Sequence, residues 1–465
     1  MIMKRIISCL MILYVFLGFW GIPSNAEVIY DDISSSDGCR GIDAEKTYFE
    51  QLKLSENVQS AFLYEINSDS LLYAYEADLT QYPASFVKIM TALLVLENTE
   101  LDRTVTVSQN ALDSISSDAI SAGLVAGEQI TVENLLYCMM VKSANDAAAV
   151  LAEFVSGSQE AFVEKMNARA TELGCTGTTY TNPHGLHHDE QVTTARDTCR
   201  ILREALKSEK FRNFFGTVQY TVPATNMSPE RPISTSNYLM NDADNVAIYL
   251  DHRVTGGRTG ITTEGFRCIA STAKSGDMEV ICIVMGCKST LLEDSTRVEV
   301  FGGFPETIAL YNQAFEGNAL RQIIFRNQIL RQQTVLNGDN DVFVYANEDV
   351  FTVLPSDYTL KDLSFQYTEA SNSLEAPIVK GQNMGSVQVM YGGSCIAKTE
   401  LFAANDVSVA APKAGAYIKP EFKGLLWWGI SILIIVVFAV FFIVGIIRRR
   451  KTNKQHRKYD RREVF

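Results

Sequence analysis

The chain has 465 residues, 47% of them hydrophobic and 20% charged, with 54 Asp and Glu against 41 Lys and Arg for a net charge of −13. That length suits two globular domains or more, and the hydrophobic share excludes a disordered chain. The acidic balance argues against nucleic acid as a partner, because phosphates would repel it.

Lys4 and Arg5 precede an apolar run from Ile6 to Trp20, and Ser24-Asn25-Ala26 places small residues before Glu27. This three-part layout predicts a secretory signal over residues 1–26. Residues 27–57 form a segment, polar and acidic to about Lys53, to which no role is assigned. Over 58–315 strand and helix patterns mix. "VQSAFLYEIN" and "SLLYAYEA" predict a hairpin turned at Asn67–Ser70. Helical patterns follow over Ser85–Asn98, Val132–Val155 and Gln159–Leu173. Two strands, Arg267–Ala273 and Met278–Met285, are joined by a tight turn at Lys274–Asp277. Strands first, helices between and strands last predict an α+β fold, an antiparallel sheet with helices packed on it.

Over 316–408 the texture becomes short alternating runs, such as Val342–Tyr345 and Val387–Val389, which predict a small all-β sandwich. A linker over 409–423 leads to Gly424–Ile447, an uncharged stretch long enough to span a hydrocarbon core of roughly 30 Å. Trp427 and Trp428 stand at its edge, and a basic tail, 448–465, holds nine basic and two acidic residues. Positive charge stays inside, so the chain is expected to cross the cell membrane once with its bulk extracytoplasmic. The tail would meet lipid headgroups. Cys9 leaves with the signal; the eight remaining cysteines have no metal-ligand spacing and several lie in apolar runs, which predicts buried free thiols.

Three clusters carry chemistry. In "ASFVKIMTALLVLE" an apolar helix begins with Ser85 and Lys88, and a three-residue offset puts both on one face. Burial lowers a lysine's pKa and so equips it to take a serine's proton, although a lysine can also snorkel to solvent. A serine at a helix start also offers its amide to a developing oxyanion. "KSANDAAAVLAE" places Ser143 and Asn145 at the start of an Ala-rich helix, as caps or as a proton relay and a substrate holder. "TGGRTGITTEGF" sets Arg258, Thr259 and Gly260 at a strand entrance, where glycines admit a ligand and a strand edge can pair with a peptide.

S-x-x-K, then S-x-N, then a cation-Thr-Gly before a strand, is the set used by penicillin-binding proteins and class A β-lactamases. On these motifs, and on "TNPHGLHHDEQVTTARD" and "APIVKGQNMGSVQV", the chain resembles the low-molecular-mass penicillin-binding proteins, the serine-type D-alanyl-D-alanine carboxypeptidases. The resemblance covers about Val58 to Ser408 and implies a penicillin-binding/β-lactamase-like transpeptidase fold. It makes Ser85 the acylated nucleophile, Lys88 its base and Ser143 the proton shuttle. Asn145, Arg258 and Thr259 would hold substrate, Gly260 would admit it, and the Ser85 and Ile261 amides would form the oxyanion hole. The partners it implies are peptidoglycan stem pentapeptides and β-lactams, with no cofactor. Arg258 departs from the family, which ordinarily has lysine there, so a catalytically weak muropeptide binder is one alternative and a β-lactamase the other. His184, His187, His188 and Asp189 lie in a stretch that the resemblance makes structural, and no metal is expected there.

Overall fold

The computed structural model describes residues 41–44, 47, 54–242, 247–262, 266–291, 299–300, 302–370, 374–411 and 420–459. The expected signal, most of 27–57, linker residues 412–419 and tail residues 460–465 lie outside the described residues.

β1 (Ser60–Glu65) and β2 (Ser70–Tyr75) form the expected antiparallel hairpin. Buried Glu65 closes its turn by accepting from the Ser68 amide and hydroxyl, each at 2.6 Å. Helices α1 (Val87–Asn98), α2 (Gln109–Asp113), α3 (Val132–Val141), α4 (Asn145–Ser156), α5 (Gln159–Glu172), α6 (Ala195–Ala205) and α7 (Glu209–Gly216) follow. Two short strand pairs lie among or after them, β3 (Thr104–Thr106) with β4 (Gln129–Thr131) and β5 (Gln219–Val222) with β6 (Arg231–Ser234). β7 (Val254–Ile261), β8 (Arg267–Ser275) and β9 (Met278–Cys287) complete an antiparallel sheet in the order β2-β1-β9-β8-β7.

The near-continuous apolar run of β9 is explained by cover on both faces. Ile281, Ile283 and Met285 join the core under the helices, whereas Val280, Cys282 and Val284 pack toward α8 (Phe304–Phe315) through Leu310 and Tyr311. Burying each such side chain contributes about 1.5–3 kcal/mol. β7 stands at the sheet's edge.

The helical pattern expected over Val132–Val155 is two helices. α3 ends at Val141, Ser143 adopts φ +67° and Ala144 is extended, so α4 restarts at Asn145. Apolar periodicity continues through the break, and no Gly or Pro marks it.

Beyond α8 the strands are β12 (Asn318–Ile324), β13 (Ile329–Gln333), β14 (Val342–Ala346), β15 (Val350–Pro355), β16 (Leu363–Glu369), β17 (Asn383–Tyr391) and β18 (Ser394–Ala403); the two-residue β10 (Thr290–Leu291) and β11 (Glu299–Val300) precede α8. A five-stranded sheet, β13-β14-β18-β17-β16, encloses with the β12–β15 pair a core that includes Val344, Leu354, Val387 and Leu401. Thr352 bonds from the smaller sheet to the Ile396 carbonyl of the larger at 3.0 Å. Val353 also joins the core over α8. Helix α9 (Pro420–Tyr459) contains Trp427–Arg450, long and apolar enough by itself to cross a membrane. No disulfide joins the described cysteines, and all of them except Cys395 are buried.

Candidate active site

Ser85 lies in a single 3-10 turn, Ala84–Phe86, that leads directly into α1. Ala84 before it has φ +46°, a region that costs a non-glycine residue roughly 1–3 kcal/mol and tends to mark functional sites. The loop over residues 182–191 holds this turn down. A Cβ on Gly185 would stand 2.0 Å from the Ala84 carbonyl oxygen, so only glycine permits the approach. Asn182 and Gln191 brace the loop: Asn182 Oδ1 accepts from the Gly185 amide at 2.7 Å and Gln191 Nε2 donates to the Leu186 carbonyl at 3.0 Å.

Lys88, one turn along α1, is fully buried. Its Nζ is 2.7 Å from Asn145 Oδ1, 3.3 Å from Ser85 Oγ, and bonds the His184 carbonyl. Ser143 Oγ is 2.9 Å from Ser85 Oγ. The break between α3 and α4 therefore delivers Ser143 to Ser85 and Asn145 to Lys88. Burial drives the Lys88 pKa well below its ordinary value, the Arg258 cation lowers it further, and the Asp146 carboxylate opposes both. Burial and the Lys88 charge push the His184 imidazole down to about 3, so it is neutral, and its Nδ1 accepts from the Leu186 amide at 3.2 Å. Among the described residues no group of three or more side chains is arranged to hold a metal ion.

Asn145 Nδ2 donates to the Ile120 carbonyl at 3.0 Å, so its carboxamide orients the lysine and ties down the 120–124 loop. Asp146, three percent exposed, completes that tie by accepting from Ser121 Oγ at 2.5 Å and from the Ala122 and Leu124 amides. Neither the Asp146 anchor nor the His184 carbonyl follows from side-chain motifs. The only signal for either was its place inside a stretch already singled out.

On β7, Arg258 is buried, and burial lowers its pKa to about 10. Its Nη1 donates to the Met140 carbonyl at the end of α3 at 2.6 Å, while its Nε and Nη2 have no partner among the described residues. Thr259 Oγ1 meets Ser236 Oγ at 3.1 Å. Gly260 lets the strand lie against the Ser85 turn: a Cβ there would be 3.0 Å from Ala84 Cβ and 3.1 Å from the Ser85 nitrogen. The Thr262 amide bonds the Phe266 carbonyl, and Gly260 pairs with Cys268 in the same register. Hydrogen-bonded pairs alternate along an antiparallel ladder, so the amides of Thr259 and Ile261 point to the open edge. All eight singled-out residues thus line or adjoin one cleft between β7, the Ser85 turn and the α3–α4 break.

An antiparallel sheet under helices, with a serine, a buried lysine and a second serine in contact, defines an active-serine acyl-transfer class. Residues 48–289 match the S11 peptidases, D-alanyl-D-alanine carboxypeptidases, and residues 319–409 match the C-terminal domain of penicillin-binding protein 5. The chain belongs to this family and is a serine-type D-alanyl-D-alanine carboxypeptidase. It is 28% identical over 363 residues to the carboxypeptidase DacF of Bacillus subtilis, covering 77% of this chain and 88% of that one. A Streptomyces D-alanyl-D-alanine carboxypeptidase is 32% identical over 238 residues, which is 49% of this chain and 80% of that protein. Penicillin-binding protein 5 of Haemophilus influenzae superposes with a TM-score of 0.62 at 26% identity, covering 77% of this chain and 99% of that one. Neither the β-lactamase nor the catalytically weak binder is better supported by these likenesses.

Proposed function

We propose that Ser85 is acylated by the penultimate D-alanine of a peptidoglycan stem pentapeptide, with Lys88 as its base. The observation that carries this reading is Ser85 Oγ lying within reach of both a fully buried Lys88 Nζ, at 3.3 Å, and Ser143 Oγ, at 2.9 Å. A neutral amine has two hydrogens and one lone pair. With the hydrogens directed to Asn145 Oδ1 and the His184 carbonyl, the lone pair is left for the Ser85 hydroxyl.

Ser85 Oγ forms a bond to the carbonyl carbon as its proton passes to Lys88. The oxyanion is held by the Ser85 and Ile261 amides. The C–N bond then breaks, and the departing D-alanine nitrogen takes the proton by way of Ser143. Water attacks the ester, returning the hydroxyl to Ser85 and releasing the shortened peptide. β-Lactams acylate the same oxygen. Asn145 holds both Lys88 and the substrate backbone, Gly260 gives the substrate room, and Arg258 with Thr259 attracts the terminal carboxylate. Arginine does not exchange its proton near neutral pH, so the relay uses Lys88, Ser85 and Ser143 alone.

Around this centre we assign a signal at 1–26, a catalytic domain at 58–315 and a β-domain at 316–408. A linker at 409–423, a membrane-spanning helix at 424–447 and a cytoplasmic tail at 448–465 that meets lipid headgroups follow. Support for the last two comes from the apolar length of α9 and the basic run Arg448–Lys451. The deciding experiment is D-alanine release from diacetyl-Lys-D-Ala-D-Ala by wild type and Ser85→Ala, with mass spectrometry after benzylpenicillin. Release abolished by the substitution, and an adduct mapped to Ser85, are expected; an adduct on another side chain refutes the assignment.

A further inference from the structure

Ser236 stands in none of the sequence motifs, yet its hydroxyl is 3.1 Å from that of Thr259. Neighbouring residues on a strand face opposite ways. Arg258 faces the helices, as do Gly256, whose missing Cβ would meet Phe215, and Gly260, whose missing Cβ would meet Ala84. Gly257 faces the other side, toward Asn237 and Ser271, and Thr259 turns that way to meet Ser236.

The backbone around Ser236 is fixed without help from its own side chain. The Thr235 amide bonds the Val218 carbonyl at 2.9 Å, the Asn237 amide bonds Thr235 Oγ1 at 3.2 Å, and Asn241 Nδ2 bonds the Thr235 carbonyl at 2.9 Å. Fully buried Asn237 presses on β7 where a Cβ on Gly257 would stand 2.2 Å from its Nδ2. The chain thus builds a close approach whose outcome is to set one exposed hydroxyl beside Thr259. An O–H···O bond is usually about 2.7–2.8 Å, so the Ser236–Thr259 contact is long and is readily exchanged. In it one hydroxyl donates to the other; facing a carboxylate, both can rotate to donate, one to each oxygen.

We propose that Ser236 is a substrate-binding residue, which with Thr259 forms a two-hydroxyl receiver for the terminal carboxylate of the D-alanyl-D-alanine substrate. The proposal rests on the reading of Ser85 and β7 given above. Arg258 supplies positive charge from the opposite face of the strand, while the hydroxyl pair supplies the directional bonds that select a free carboxylate over a blocked one.

The test is the ratio of kcat/KM for diacetyl-Lys-D-Ala-D-Ala to that for its methyl ester. Being internal to each preparation, the ratio does not depend on how much protein is folded. Wild type is expected to favour the acid. Ser236→Ala and Ser236→Val should each lower the ratio roughly tenfold, as loss of one hydrogen bond to a charged group implies, chiefly through KM. Ser236→Thr, which keeps the hydroxyl, should retain it. An unchanged ratio in both the Ala and Val variants, or no acid preference in wild type, overturns the proposal. The benzylpenicillin adduct separates the two levels of inference: an adduct on Ser85 with an unchanged ratio removes only the role of Ser236, whereas no adduct removes the catalytic reading beneath it.

Discussion

Lys88 and Arg258 are both buried basic side chains in one cleft, and the protein surrounds them in opposite ways. Among the described residues Lys88 has three oxygen neighbours, from Ser85, Asn145 and His184, whereas Arg258 has one, the Met140 carbonyl, and leaves Nε and Nη2 without a partner. A buried donor with no acceptor is destabilising by about 1–3 kcal/mol. The contrast teaches that the lysine half of the cleft is complete in its hydrogen bonds, while the β7 half is left open, holding a charge that the surrounding dipoles offset only in part.

The most severe way to break the contrast is to remove the complete half. Lys88→Ala should slow acylation by benzylpenicillin about a thousandfold, in the range of a lost general base, while the protein still folds as judged by circular dichroism. A residual rate within tenfold of wild type excludes Lys88 as the base. Next comes the open half. Arg258→Ala should lower kcat/KM for D-alanine release by roughly ten- to a hundredfold, the worth of a charge-assisted hydrogen bond, with KM affected more than it is for Lys88→Ala.

Arg258→Lys sharpens the same point with a smaller effect. If the cation acts by charge, deacylation should stay within about tenfold of wild type, a difference below about 1.4 kcal/mol. A larger gain shows that the native arginine handicaps turnover. The smallest effects are shifts along the pH axis. A base works when neutral, so acylation should fall as pH drops through the lowered Lys88 pKa and stay level above it. Removing the Arg258 cation raises that pKa and moves the acid limb to higher pH. Asp146→Asn removes the carboxylate that opposes the depression and moves the limb to lower pH. Stopped-flow acylation across pH checks both directions, and limbs that move the same way refute the assignment.

Much of this was legible in the chain because local rules wrote it. Among the described residues, five helices begin on Ser or Thr hydroxyls that accept from their own first-turn amides: Ser108, Thr131, Ser158, Thr194 and Ser208. The two helices that carry the site do not. α1 starts from Phe86 and α4 from Ala144, with no side-chain cap on either. Their first turns are held from elsewhere, as when the Asn145 amide bonds the Ile120 carbonyl at 2.8 Å. That absence explains why the α3–α4 break escaped a reading by periodicity: nothing nearby in the chain ends one helix or opens the next, and Ser143 takes φ +67° under tertiary constraint.

By itself, the amino-acid sequence determined that Ser85 and Lys88 share one helical face, the hairpins, the change to short strands after α8, and the apolar length of α9. Each of these is written in residues a few positions apart, where spacing and hydrophobic period act directly. Only the tertiary structure decided that Asn145 and the His184 carbonyl hold Lys88, that Met140 anchors Arg258, and that Ser236 reaches Thr259. Those partners are 57, 96, 118 and 23 residues apart. Hydrogen bonds over such separations carry no local pattern, and form only once the sheet closes β1 onto β9 and seats the helices above it.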